Sequence, residues 1–185
     1  MSVIHAIEVT LNTEINATIR AATAEDVDAL VAIESLPPED GDLSFRHESA
    51  RPPEHRRSGL GHWVRWHRDE PGMLCLVAIV NDAVVGYLNF GHTKDQYHQH
   101  RGVLDMFLIR EWRGQGVGSA LIDSLLTWAT KNAQIEIVGL NVISANEGAM
   151  RLYEKYGFVE EGRLRRAIRL PNGDYADEVL MSKHL

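Results

Sequence analysis

Six consecutive residues, Arg113-Gly114-Gln115-Gly116-Val117-Gly118, have the make-up of a loop that holds an anion. Ahead of them Val103-Leu104-Asp105-Met106-Phe107-Leu108-Ile109 carries a single charge and reads as a buried strand. Behind them Val117, Ala120, Leu121, Leu125 and Trp128/Ala129 recur at three- and four-residue steps, the spacing of a helix with one apolar face. Where a strand gives way to a helix, unpaired N–H groups and the positive end of the helix dipole point outward. Glycines there let the backbone close on a ligand, and Arg113 adds a charge at the rim. That is the chemistry of a phosphate cradle.

Two common phosphate loops are excluded. A dinucleotide fingerprint needs a glycine where Ser119 stands, and no acidic partner follows a second strand. A nucleoside-triphosphate loop needs Lys-Ser/Thr after its last glycine, and Gly118-Ser119-Ala120 lacks it.

A second segment settles the comparison. Asn146-Glu147-Gly148-Ala149-Met150-Arg151-Leu152-Tyr153-Glu154-Lys155-Tyr156-Gly157-Phe158 resembles the signature N-x-x-A-x-x-L-Y-x-x-x-G-F, and residues 113–118 resemble R-x-x-G-x-G. Both belong to the GNAT superfamily of acyl-CoA N-acyltransferases. The two motifs fall in the right order with a strand between them. The resemblance runs from about Thr18 to the C-terminus, dense from Leu104 and only architectural before it.

The resemblance implies an acetyl-CoA-dependent N-acetyltransferase and assigns its parts. Backbone groups of Met106, Phe107 and Leu108 would pair with the pantetheine arm and polarise the thioester. Arg113, the N–H groups of Gly114, Gln115, Gly116, Val117 and Gly118, and Ser119 would hold the pyrophosphate. Asn146 would bind the pantetheine side, and Tyr153 would protonate the departing sulfur. Asn146 and Gly157 also have structural readings, as helix N-cap and left-handed C-terminal residue, and Tyr153 could merely pack its helix on the sheet.

The chemistry explains why an acid and a base are sought. An alkyl amine resembles Lys, with a pKa of about 10.4, so at neutral pH fewer than about one in a thousand is free base. A base must take its proton or the site must lower that pKa. In the ribosomal-protein N-terminal acetyltransferases that the chain resembles, a Glu on the strand before the second signature does this work. The matching residue is Asn141, which has no carboxylate. Asp105 is the nearest carboxylate; strand alternation puts it on one face with Val103 and Phe107. It is either the base, directly or through water, or the partner of Arg101 or Arg110.

The elements that must position these groups are legible in outline. Residues 1–16 alternate loosely and form either an edge strand or a mobile arm. Thr18-Ile19-Arg20 is a short strand, and Thr23 with Asp26 has the spacing of a capping box before a helix with Val27, Leu30 and Val31 inside. Pro37-Pro38 ends that helix, and residues 39–51 form a polar loop. Pro52-Pro53 opens a second helix with Leu60, Trp63, Val64 and His67 on one side, weakened by Gly59 and Gly61. In the resembled family these two helices and their connection wall the acceptor site. Leu74–Val80 and Ala83–Leu88 flank Asn81-Asp82 as a hairpin, and residues 91–100 form a loop. Residues 135–142 form a strand parallel to 103–109. Arg163–Leu170 and Tyr175–Lys183 close the chain as a hairpin around Asn172-Gly173, like that of polyamine and free amino-acid acetyltransferases.

The expected fold is a single α/β domain over residues 1–185, with a mixed, mostly antiparallel GNAT-like sheet. It is splayed at its central parallel pair and carries helices on both faces. A net charge of −7 argues against a nucleic-acid surface, and no apolar run approaches ~18 residues, so no membrane span is expected. The single Cys75 excludes an internal disulfide and sits in an apolar run with no nucleophilic machinery nearby. His92, His98 and His100 lie in a polar loop with no further ligand placed by spacing; they form a solvated loop or an acceptor-site rim, and no metal is expected. The acceptor is read as a small-molecule amine, such as an amino acid or polyamine, and the location as cytoplasmic, with a homodimer allowed. A protein N-terminus and a non-catalytic acyl-CoA sensor are the alternatives.

Overall fold

A computed structural model describes residues 4–36, 43, 53–92 and 95–185. Of residues 53–56 only the backbone is described. The proline-ended helix terminus at 37–38 and nearly all of the 39–51 loop therefore lie outside the described residues. One eight-stranded sheet runs in the order β1-β2-β3-β4-β5-β6-β8-β7. Its strands are β1 Ile7–Thr10, β2 Asn16–Ala21, β3 Leu74–Val80, β4 Ala83–His92, β5 Arg101–Leu108, β6 Ile137–Ile143, β7 Val159–Arg169 and β8 Tyr175–His184. The helices are α1 Val27–Glu34, α2 Pro53–Asp69, α3 Val117–Thr130 and α4 Glu147–Lys155. All neighbouring strands are antiparallel except β5 and β6.

The N-terminal stretch takes the first of its two readings: Ile7–Thr10 pairs antiparallel to β2 as an edge strand. Asn81 and Asp82 make the tight turn between β3 and β4, both with positive φ (48° and 61°), a conformation that Asn and Asp tolerate and that matches the twist of a hairpin. Gly59 and Gly61 do not break α2, because Val64 and His67 are buried under it and packing outweighs propensity. β5 starts two residues before the apolar run, at Arg101. Gly102 extends the ladder because the Phe90 ring occupies the space where a Cβ would lie, at 2.1 Å. β6 starts two residues later than the apolar run, and β7 four residues before Arg163.

Strand alternation divides the apolar side chains between two faces. On one face Leu76, Leu88, Phe90, Leu104, Leu140 and Val179 pack with α3 and with Tyr153 of α4. On the other, Val77, Tyr87 and Phe107 pack with Val27, Leu30 and Ile33 of α1 and Val64 of α2. This second core stops at β5 among the described residues. The entry to α1 is held by an ion pair: Arg20 donates to both oxygens of Asp26, at 2.7 and 2.8 Å. Asp26 also accepts the Thr23 N–H at 2.7 Å, so the expected capping contact forms, here across a short 3-10 turn. Burial would raise the Asp26 carboxyl, but the Arg20 and Thr23 hydrogen bonds outweigh it and hold it below the usual carboxylate range.

Candidate active site

The parallel pair β5/β6 is short. Only Arg101–Ile137, Gly102–Val138 and Val103–Gly139 are in register, and beyond them the strands diverge. The opening holds a cavity of about 330 Å³. Met106, Phe107 and Leu108 line it from β5; Arg113, Gly114, Gly116, Gly118 and Ser119 line it from the loop and α3; Asn146 and Tyr153 line it from α4. Asp105 lines it as well. These predicted site residues therefore converge on one cleft.

Gln115 and Val117 do not line the cavity. The Gln115 side chain donates to the Glu111 carbonyl at 2.7 Å and accepts from Thr13 at 3.3 Å, and Val117 is fully buried in the core. Any part they take would be through backbone N–H groups.

The three glycines have different jobs. Gly116 is the N-cap of α3 with φ +101°, in the left-handed region that a side chain strains. Gly118 lies inside the first turn, where a Cβ would come within 3.1 Å of Leu152, so it lets α4 close on α3. A Cβ at Gly114 would meet nothing within 4 Å. Arg113 is steered by its Nε–H, which donates to the Leu108 carbonyl at 2.9 Å, and its guanidinium lies 5.7 Å from the Phe107 ring centre. The loop is thus an open arc of backbone at the positive end of α3, with one cation at its margin.

Asn146 caps α4 by accepting the Ala149 N–H at 3.2 Å, which leaves its amide nitrogen for other work. Tyr153, two turns on, is 7% exposed and packs edge-on against Phe158 at 5.8 Å between centroids. Burial, with a lesser push from the Asp105 charge, drives its phenol well above the usual tyrosine range. It therefore stays protonated and available as a donor. Packing and cavity lining are both true of this residue.

Asp105 is exposed, on the face it shares with Val103 and Phe107. Arg101, one of the two cations considered as its partner, instead pairs with Glu161 at 2.7 Å. Asn141 also lines the cavity, although it has no carboxylate to offer. Two residues outside the predicted site set also take part, the first of them in the connection that the family resemblance placed at the acceptor site. Leu43, from the otherwise undescribed connection between α1 and α2, lines the cavity. Asn12 braces the loop: its N–H donates to the Gln115 carbonyl at 3.1 Å and its amide to the Gly114 carbonyl at 3.5 Å. Nothing local in the sequence signals either contact.

The remaining candidates fall away from the cleft. His92 donates from Nε2 to the Pro71 carbonyl at 3.1 Å, while His98 pairs with Asp95. Among the described residues no group of three potential metal ligands converges. Cys75 is buried under α1 and α2, and burial pushes its thiol up, away from nucleophilic use. Among the described residues no helix is long and apolar enough to cross a membrane.

The cleft is thus a strand-loop-helix cradle beside a splayed parallel pair, lined by a buried tyrosine. The chain belongs to the acetyltransferase (GNAT) family, whose model matches residues 40–158. It is an N-acetyltransferase of that family, for which acetyl-CoA is the donor. It is 29% identical over 121 residues to the L-amino acid N-acetyltransferase AaaT of Escherichia coli, covering 65% of this chain and 74% of that one. It is 26% identical over 169 residues to the N-alpha-acetyltransferase of Saccharolobus solfataricus, covering 86% of each. Among solved structures, an acetyltransferase of the GNAT family from Streptococcus pneumoniae superposes with a TM-score of 0.82 at 24% identity, over 91% of this chain and 99% of that one. The protein yncA from Salmonella typhimurium, solved with its cofactor acetyl-CoA, superposes with a TM-score of 0.76 at 20% identity, over 92% of this chain and 94% of that one. These two likenesses carry the fold.

Proposed function

We propose that this N-acetyltransferase moves the acetyl group of acetyl-CoA to a primary amine of a small molecule, by direct attack within a ternary complex. One observation supports this reading most. A single cleft holds an anion cradle at one side and, beyond the point where β5 and β6 part, a carboxylate and a protonated phenol, Asp105 and Tyr153. A thioester laid along β5 with its pyrophosphate on residues 113–119 would put its sulfur near Tyr153 and its carbonyl carbon beside Asp105.

In this mechanism the Leu108-side backbone of β5 pairs with the pantetheine arm, and Asn146 holds its other side. Asp105 takes the proton of the ammonium group, directly or through a water. The free amine adds to the thioester carbonyl; the C–N bond forms and the carbonyl electrons move to oxygen, stabilised by backbone donors of β5. Collapse breaks the C–S bond, and the thiolate, with a pKa near the cysteine value of about 8.5, takes the Tyr153 proton; the second proton, shed by the nitrogen as it becomes an amide, passes through water to the tyrosinate, and Asp105 returns its proton to solvent. Burial holds the phenol protonated before the reaction begins. The amide product and coenzyme A then leave.

The test is turnover of acetyl-CoA by the purified protein, followed as released thiol, with a panel of n-butylamine, spermidine, L-leucine and an unblocked tetrapeptide. Acetylation of one of the three small amines is expected. Exclusive use of the peptide would move the assignment to protein N-termini, and failure with every amine would overturn the small-amine reading.

A further inference from the structure

Position 141 lies where the sheet opens. The parallel ladder ends at Val103–Gly139, and continuing it by two residues brings Asp105 opposite Asn141. The two side chains share one face of the sheet, both line the cleft, and the strands between them have parted. On its other side Asn141 meets β8: its Nδ2 donates to Glu178 Oε1 at 2.8 Å.

Resting on the reading of this cleft as the acceptor site, we propose that Asn141 is a substrate-binding residue that receives an N–H of the acceptor amine, and that Glu178 is the positioning residue that fixes its amide. A carboxylate only accepts hydrogen bonds, so it dictates which end of the amide faces it. With Nδ2 committed to Glu178 on β8, the planar amide must send Oδ1 the other way, toward β5 and the opening. Among the described residues no donor reaches that oxygen.

Two acceptors then flank the opening, the Asp105 carboxylate from β5 and the Asn141 carbonyl from β6. A primary ammonium carries three N–H groups. One proton passes to Asp105 before attack, one N–H stays on Asn141, and the lone pair left behind is directed between the two strands, where the thioester carbonyl would lie. The residue that lacks a carboxylate thus orients the nucleophile while Asp105 deprotonates it.

The arrangement also bears on substrate class. A secondary amine keeps fewer N–H groups, so after giving one proton to Asp105 it loses the freedom to satisfy Asn141 in more than one pose. Primary amines are favoured.

The test uses Asn141→Leu, Glu178→Leu, the double variant and Glu178→Gln, with the panel amine that wild type acetylates best. Asn141→Leu should raise KM for that amine about tenfold, the size of one lost hydrogen bond, with the acetyl-CoA Kd unchanged. Glu178→Leu should do nearly the same, and Glu178→Gln, whose amide oxygen still accepts from Asn141, should recover most of the loss. The double variant should be no worse than Asn141→Leu alone, because Glu178 acts only through Asn141. If either leucine variant melts early, the alanine versions are read instead. Unchanged amine KM in the Asn141 variant, or losses that multiply in the double variant, would overturn the inference. A wild type that acetylates no panel amine would instead sink the reading it rests on.

Discussion

The backbone N–H of Asn12 donates to the carbonyl oxygen of Gln115 at 3.1 Å, so the turn between the first two strands is tied to the loop that opens α3. Asn12 Oδ1 also lies 3.4 Å from where a Cβ on Gly116 would stand. The N-terminal edge of the sheet is therefore hydrogen-bonded directly to this loop.

That contact sharpens what a side chain at position 116 would do. Gly116→Val would place a branched residue at φ +101° and press it on Asn12, at a cost of about 1–3 kcal/mol of stability. It should weaken acetyl-CoA binding by more than about 100-fold, since strain and obstruction both act where the pyrophosphate would lie. Calorimetry gives the affinity, and a Kd near that of wild type would remove the loop from donor binding.

Tyr153→Phe keeps the ring that packs against Phe158 and deletes the proton. General acid help is worth about 10²–10⁴ in rate, so kcat should fall by that order with acetyl-CoA still bound and the melting temperature nearly unchanged. Acyl donors with more acidic thiols should recover part of the loss. Wild-type kcat in this variant would make Tyr153 purely structural. Since burial raises the phenol, wild type should also show no loss of activity from tyrosine ionisation up to about pH 10.

Asp105→Asn removes the carboxylate next to the opening and one of the influences that keep Tyr153 protonated. Turnover should drop most at low pH, where free amine is scarcest, by about 10²-fold or more. The pH dependence of kcat/KM measures this. A profile of unchanged shape would take Asp105 out of proton transfer.

Asp26→Asn tests the fold rather than the site. The Asp26 carboxyl is held below its ordinary value, chiefly by Arg20 against the cost of burial, so the ion pair stabilises the protein above the unfolded pKa of about 3.9. That contribution is lost as pH falls through the lower folded value. The variant should be less stable than wild type by about 2 kcal/mol at pH 7, a Tm drop of roughly 4–8 °C, and the gap should narrow below about pH 4. An equal gap at pH 7 and pH 3 would show that shape, not charge, is what position 26 supplies.

Much of this protein was readable without coordinates, and the readable parts share a physical cause. Gly116 at the start of α3, Asn146 capping α4, Asn81-Asp82 in the first hairpin and Gly173 in the last each answer a demand made by a few neighbouring residues. Such demands concern φ, hydrogen-bond capping and apolar period, and they are written in contiguous sequence. The cradle and the tyrosine helix were legible for this reason. The ends of β5 and β7 were not, because Gly102 and Val159 extend their strands through the strands beside them.

Tertiary structure alone decided what the motif residues face. Asn12 meets Gln115 only because β2 lies across the sheet from where α3 begins, and Arg101 meets Glu161 only because β7 folds back outside β8. Asn141 read alone as a lost carboxylate; the sheet order that brings β8 against β6 puts Glu178 beside it and gives its amide a direction. Contacts of this kind join residues whose own local preferences are satisfied either way, so no local pattern records them. They are chosen by the packing of the whole sheet, and at Asn141 that packing decided what stands opposite Asp105.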